Sequence, residues 1–150
     1  MRKSLQMQRI DPRAPRFGAA ITSLISLSGF VVAQIDPATG VTVLAIVFLL
    51  FAWGVFAPKT HPYGLLFSLL RPKLGDPEYL EDPRPPRFAQ QVGLSVSTLG
   101  LFIAFFNPLA GALSGLGAVF VASALNAYFD FCLGCVMYLR IKRFQRALAR

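Results

Sequence analysis

The sequence predicts an all-α membrane protein with four transmembrane helices. Hydrophobic residues make up 55% of the 150-residue chain and the mean hydropathy is +0.56. A soluble domain of this size would need far more polar surface. The charged residues, 15% of the chain, fall in a few clusters, and four segments between those clusters carry no charge. We therefore expect a single membrane domain over residues 1–150.

The four uncharged segments have the length of membrane spans. Each is close to the roughly 20 residues that an α-helix needs to cross about 30 Å of hydrocarbon. The first is too long for the hydrophobic region of a signal peptide and lacks a cleavage site followed by a polar mature chain, so we expect it to be a permanent span. The predicted spans are residues 17–34, 40–57, 88–106 and 109–131, the last of which extends two residues past its uncharged segment and includes Asp130.

The basic residues predict the orientation of these spans. All fifteen lie before the first span, between the second and third, or after the fourth, where the positive-inside rule places the cytoplasm. A net charge of +8 would suggest nucleic acid in a soluble protein, but anionic lipid head groups explain the same positions more simply, and we expect no nucleic-acid partner. The fifteen are Arg2, Lys3, Arg9, Arg13, Arg16, Lys59, Arg71, Lys73, Arg84, Arg87, Arg140, Lys142, Arg143, Arg146 and Arg150.

A repeat runs through the chain without gaps and pairs Asp11 with Asp82. It begins with DPRAPRF at residues 11–17 and DPRPPRF at residues 82–88, which agree at six of seven positions. Because each copy holds two spans, both copies enter the membrane from the same side. The sequence therefore predicts two parallel helical hairpins, residues 11–74 and 82–145, that turn at Asp36-Pro37 and Asn107-Pro108.

Each DPRxPRF motif supplies two arginines held by prolines, Arg13 and Arg16 in the first copy and Arg84 and Arg87 in the second. Such a pair can bind a phosphate or a carboxylate. The alternative is an interfacial role, with arginine at the lipid head groups and phenylalanine at the hydrocarbon edge. Duplication favours the interfacial role, because a unique active site rarely needs two copies.

Cys132 and Cys135 are the only cysteines and the main candidates for catalysis. We expect the fourth helix to run through both, which places them on one face at the cytoplasmic edge of the hydrocarbon. Because the cytosol is reducing, a dithiol that cycles is favoured over a permanent disulfide. A helix C-terminus disfavours the thiolate, so inert buried cysteines stay an alternative. A zinc site needs four ligands, so a metal is the least favoured interpretation and no metal ligand is assigned.

Four further residues are candidates for supporting the cysteines, namely His61, Asp130, Asn126 and Tyr128. The repeat places His61 opposite Cys132, where it could stabilise a thiolate, although a histidine before a proline more often caps a helix end. On an ideal helix Asp130 shares a face with Asn126, while the cysteines and Tyr128 point the opposite way. We therefore expect Asp130 to contact a neighbouring helix or Lys59.

With DPRPPRFAQ and NAYFDFCLGC, the chain resembles a bacterial family of small integral membrane proteins described as domain of unknown function 4395. The resemblance covers nearly all of the chain and carries no established activity. The resemblance implies a location in the bacterial inner membrane. It also implies that thioredoxin-like and sulfurtransferase proteins are neighbours of family members. In size and in a CxxC on a late helix, the chain also resembles four-helix quinone-linked thiol oxidoreductases, which use two cysteine pairs that face the other compartment.

Two functions stay open. The first is a thiol-disulfide redox or sulfur-transfer component, in which Cys132 or Cys135 exchanges with a cytosolic thioredoxin-like or rhodanese-like protein. One cysteine pair cannot relay disulfides across a membrane, so a quinone is a candidate cofactor. The second is a structural or transport subunit without catalytic cysteines, which packs through small residues as a homodimer. The sequence contains no nucleotide-binding loop, HExxH or serine-nucleophile motif. Whether the protein is an enzyme therefore stays open.

Overall fold

The computed structural model describes residues 9–149, and the regular structure in that range is helical. Four of its helices, α1, α2, α4 and α5, are long and apolar enough to cross a membrane, which confirms the predicted all-α, four-span fold. Arg2, Lys3 and Arg150, counted above among the basic residues, lie outside the described range. The helices are α1 (Arg13–Ala33), α2 (Pro37–Phe56), α3 (Pro62–Leu74), α4 (Arg84–Phe106), α5 (Pro108–Phe129) and α6 (Leu133–Leu148).

The hairpin turns follow from an Asx-Pro pair at the start of each returning helix. Asp36 caps α2 by accepting a hydrogen bond from the backbone N–H of Ala38 at 3.2 Å, and Asn107 caps α5 by accepting one from Ala110 at 3.1 Å. Proline at the next position has its φ already suited to the first turn of a helix. The Thr39 hydroxyl and the capping N–H groups hold the pKa of Asp36 below its usual range.

The core lies between α2 and α5, which cross at the centre of the bundle, with α1 and α4 packed on either side. Leu44 and Val47 of α2 and Leu116 and Val119 of α5 are buried there. Small residues bring the backbones close, and a Cβ built on Gly100 would lie 2.8 Å from the Cα of Gly115. Many large apolar side chains point outward, as expected where lipid replaces water.

The two halves of the chain build corresponding structure. Ile10 and Glu81, which directly precede the two DPRxPRF motifs, form reciprocal backbone hydrogen bonds of 3.0 and 2.9 Å, as two copies do when they meet at a two-fold axis. Each helix of the second half begins at the residue that the repeat pairs with the start of its counterpart. These pairs are Arg13 and Arg84, Pro37 and Pro108, and Pro62 and Leu133. The origin of the halves by duplication stays a prediction.

One end of the bundle collects the basic residues of the described range. α1 and α4 begin there, α2 and α5 end there, and α3 and α6 both start there. We call it the basic end. The turns at Asp36 and Asn107 lie at the opposite end and contain no lysine or arginine.

Candidate functional site

The fourth span ends before the cysteines. α5 stops at Phe129, Asp130 adopts a left-handed conformation with φ of 56°, and α6 begins at Leu133. Aspartate is one of the few residues other than glycine that tolerate this conformation. The expectation of one helix continuing through Cys135 is therefore wrong.

Cys132 and Cys135 form a disulfide at the N-terminus of α6, with their Cα atoms 5.1 Å apart. Cys132 is the N-cap, and its Sγ accepts a hydrogen bond from the backbone N–H of Cys135 at 3.2 Å. A helix N-terminus carries partial positive charge and favours a thiolate. The sequence argument placed the pair at a helix C-terminus, which disfavours a thiolate, and that placement is wrong.

The disulfide lies in the wall of a cavity of about 540 Å³ at the basic end, between α1, α4, α5 and α6. Ligand sites commonly have volumes of about 300–1,000 Å³. Most of the lining is apolar or made of small residues, and both cysteines are half-buried. The polar groups on the wall include Thr22, Gln90, Ser123, Asn126 and Asp130.

Asp130 forms an ion pair with Arg16 of the first DPRxPRF motif. Of the two expected contacts, the one with a neighbouring helix is therefore observed, since Arg16 lies on α1, and the one with Lys59 is not. The expectation that Asp130 and Asn126 face away from the cysteines is also wrong, because the break after α5 turns both cysteines into the same cavity. The side chain of Asp130 is 68% exposed, so this pair contributes little to the free energy of unfolding. Its effect is to tie the hinge before α6 to α1.

His61 and Tyr128 do not share the cavity that the cysteines line. His61 is 8% exposed and caps α3, the role that its position before a proline favoured. Its Nδ1 accepts from the backbone N–H of Tyr63 at 3.3 Å, so Nε2 carries the proton and donates to the carbonyl of Leu50 at 3.0 Å. Tyr128 is 61% exposed, and its hydroxyl is 3.4 Å from Ser23 Oγ. Neither residue lines the large cavity.

The first DPRxPRF motif also holds the end of α3. Arg13 pairs with Asp11 at 2.9 Å and donates hydrogen bonds to the carbonyls of Leu74 at 3.0 Å and Gly75 at 2.8 Å. These bonds connect the start of α1 to the C-terminal end of α3 through Arg13. The hydrogen bonds from Arg13 also hold the pKa of Asp11 below its usual range.

The second motif repeats only part of this arrangement. Asp82 accepts from the backbone N–H of Arg84 at 2.9 Å, as Asp11 does from that of Arg13, while the side chains of Arg84 and Arg87 are exposed. Contact of these arginines with lipid or an anion stays a prediction.

Sequence reasoning missed Gly134, although the repeat carried the signal. Gly134 corresponds to Tyr63, and a Cβ built on it would lie 2.6 Å from the Cα of Ala89. The glycine therefore lets α6 dock on α4. Pro62, an evident helix start, corresponds to Leu133, so the repeat also marked where α6 begins.

Comparison with known proteins agrees with the motifs. A model of the family described as domain of unknown function (DUF4395) matches residues 10–143, which is nearly the whole chain. No curated protein and no solved structure matches the chain. The chain belongs to the DUF4395 family.

Proposed function

We propose that this multi-pass membrane protein is a thiol-disulfide redox component that exchanges electrons with a cytosolic dithiol protein through Cys132 and Cys135. The observation that carries the proposal is the position of the pair, at the N-terminus of α6 and in the wall of a cavity at the basic end. A structural disulfide would need no cavity beside it and no stabilised thiolate.

The exchange follows from the roles of the two sulfurs. A partner thiolate attacks Sγ of Cys132, the disulfide breaks, and Cys135 leaves as a thiolate that takes up a proton. The second partner thiolate then attacks the partner's own sulfur in the mixed disulfide and releases Cys132. This leaving thiolate is stabilised by the N–H of Cys135 and by the N-terminus of α6. Two electrons and two protons pass from the partner to this chain.

The partner is proposed to be a cytosolic thioredoxin-like protein. Positive residues mark the cytoplasmic side of a membrane protein, which supports a cytoplasmic orientation for the basic end of the bundle. Cys132 and Cys135 lie at that end and are half-buried, so a small redox domain can reach them. A rhodanese-like partner would instead transfer a sulfur atom to Cys132, and identification of the captured protein separates the two.

The test is capture of the partner in cells. Cys135→Ser removes the thiol that would return the mixed disulfide to the internal disulfide, and a thiol-blocking reagent caps the partner's second thiol before that thiol can release Cys132. The Cys132 adduct should then be recovered, and Cys132→Ser is the matched control that should capture far less. Lysates treated with a membrane-permeant thiol-blocking reagent are separated without reductant, and the adduct is identified by mass spectrometry. The proposal fails if Cys132 stays a free thiol in the wild type and in Cys135→Ser and if cells that carry the double serine variant grow like the wild type. A periplasm-active reporter fused after Arg150 should be silent if the orientation is right.

A further inference from the structure

At the large cavity, a bulky residue of the first half corresponds to a glycine of the second. In the first half, Tyr63 covers Gly18, since a Cβ on Gly18 would lie 3.0 Å from Cδ2 of the tyrosine. Thr22 donates a hydrogen bond to the Tyr63 hydroxyl at 3.2 Å. In the second half, the positions that correspond to Tyr63, Gly18 and Thr22 hold only small residues. They are Gly134, Ala89 and Gly93, and all three line the cavity.

The cavity reaches into the membrane-spanning part of the bundle. Val119 lies on its wall, ten residues before the end of α5. At about 1.5 Å per residue, this is about 15 Å from the basic end of that helix, or half of a roughly 30 Å hydrocarbon layer. Val96, inside α4, lies on the same wall. A ligand that fills the cavity must therefore be soluble in lipid.

Polar groups line the same space between the apolar wall and the disulfide. Gln90 and Asn126 each offer amide N–H groups, while the hydroxyl proton of Thr22 is already donated to Tyr63. Hydrogen-bond donors in an apolar cavity suit a ligand with a few carbonyl oxygens on an apolar body. Cys132 and Cys135 lie in the wall, so such a ligand can contact sulfur directly.

The chain also needs an electron acceptor. The proposed exchange leaves Cys132 and Cys135 reduced, and the sequence has no second cysteine pair to oxidise them. We propose, on the basis of that function, that the cavity binds a membrane quinone, a lipid-soluble acceptor of two electrons. The Cys132 thiolate adds to the quinone ring, the Cys135 thiolate attacks Cys132 Sγ, and the S–S bond forms as the S–C bond breaks. The electron pair stays on the ring, whose oxygens take up two protons to give the quinol.

The experiment uses the full chain in lipid nanodiscs, reduced and then mixed without oxygen with decylubiquinone. Ultraviolet absorbance follows the quinol, and thiol titration follows the cysteines. Gly134→Tyr with Ala89→Gly recreates the Tyr63–Gly18 pair and fills the cavity, while Ala122→Leu fills it from α5. Ala110→Leu, exposed on the same helix, is the matched control. We expect one quinol per disulfide formed in the wild type and in the Ala110 control. In both filled variants the rate of quinol formation should fall by a factor of about ten or more.

Binding is measured separately, by equilibrium dialysis of decylubiquinone against Cys132→Ser/Cys135→Ser, which cannot exchange thiols. This variant should bind the quinone and lose binding when Ala122→Leu is added. Wild-type protein that exchanges with dithiothreitol but forms no quinol overturns the inference and leaves the proposed function standing. Filled variants with the wild-type rate, or binding of phospholipid chains only, also overturn it. Quinone binding at this cavity without any thiol exchange would support the quinone site and contradict the proposed function.

Discussion

The two halves of the bundle share a framework and differ at its basic end. Both build a span, an Asx-Pro turn, a returning span and a further helix, and corresponding helices begin at residues that the repeat pairs. Both pack an aromatic pair between the first and third helices of the half, Phe17 with Phe67 and Phe88 with Tyr138, each with ring centroids 5.8 Å apart. The framework therefore does not decide where chemistry takes place.

The differences that bear on the site lie at four consecutive positions. His61, Tyr63 and Gly64 of the first half correspond to Cys132, Gly134 and Cys135 of the second, around Pro62 and Leu133. His61 and Cys132 are both N-caps, and each accepts a backbone N–H through its side chain. At this shared helix start, Tyr63 fills the space beside α1 in the first half. In the second half, Gly134 leaves the corresponding space empty beside the disulfide. A change in side-chain volume at a shared helix start is enough to create a site.

The largest effect is expected from moving the cysteines into the first half. His61→Cys/Gly64→Cys in a Cys132→Ser/Cys135→Ser background places CxxC at the corresponding helix start, and a Cβ on Gly64 would meet no atom within 4 Å. We expect a disulfide to form but quinol production to fall to the level of the double serine protein, because Tyr63 fills the space beside it. Absorbance and thiol titration measure the two outcomes.

Opening the first half provides the control for that result. Addition of Tyr63→Gly and Gly18→Ala to the moved cysteines copies Gly134 and Ala89, and some quinol production should return. Wild-type rates with Tyr63 still present would mean that the cavity is not needed.

The sequence predicted the framework well, for reasons that are local. Charge-free segments, Asx-Pro turns and the repeated DPRxPRF motif each depend on residues close in the chain. It predicted the site only in part, because the apolar pattern from Leu109 favoured a helix that continues past Asp130, and only the correspondence of Leu133 with Pro62 marked a new helix start. The break depends on α6 docking on α4 through Gly134, which is a contact between distant residues. The cavity depends on the same contact and could not be derived from spacing within one helix.

A smaller effect is expected at the charged hinge. Asp130→Lys copies Lys59 of the first half, repels Arg16 and removes a residue suited to the left-handed conformation. We expect a loss of about 1–2 kcal/mol in the free energy of unfolding, mostly from the backbone conformation. Asp130→Asn keeps the conformational preference and should lose at most about 1 kcal/mol, since the ion pair is exposed. Thermal unfolding in detergent measures both, and Lys59→Asp should be neutral. Equal losses in the two Asp130 variants would contradict the role of the backbone.

The smallest effect on the free energy of unfolding is expected at Tyr63, whose hydroxyl forms one hydrogen bond in the first half. Tyr63→Phe keeps the ring over Gly18 and removes the hydrogen bond from Thr22, which should cost about 1 kcal/mol at neutral pH. Tyr138→Phe, at the corresponding position to Phe67, keeps its stacking on Phe88 and is the control, with no loss expected.

Alkaline pH should then remove the advantage of the wild type over Tyr63→Phe. Burial raises the pKa of Tyr63 above its ordinary value of 10.0. A group whose pKa is raised on folding contributes stability that is complete below the unfolded pKa and is lost as the pH rises through the folded one. The unfolding temperature of the wild type should therefore fall more steeply than that of Tyr63→Phe above pH 10.0. Parallel curves would show that Tyr63 is not enclosed and that the first half is as open as the second.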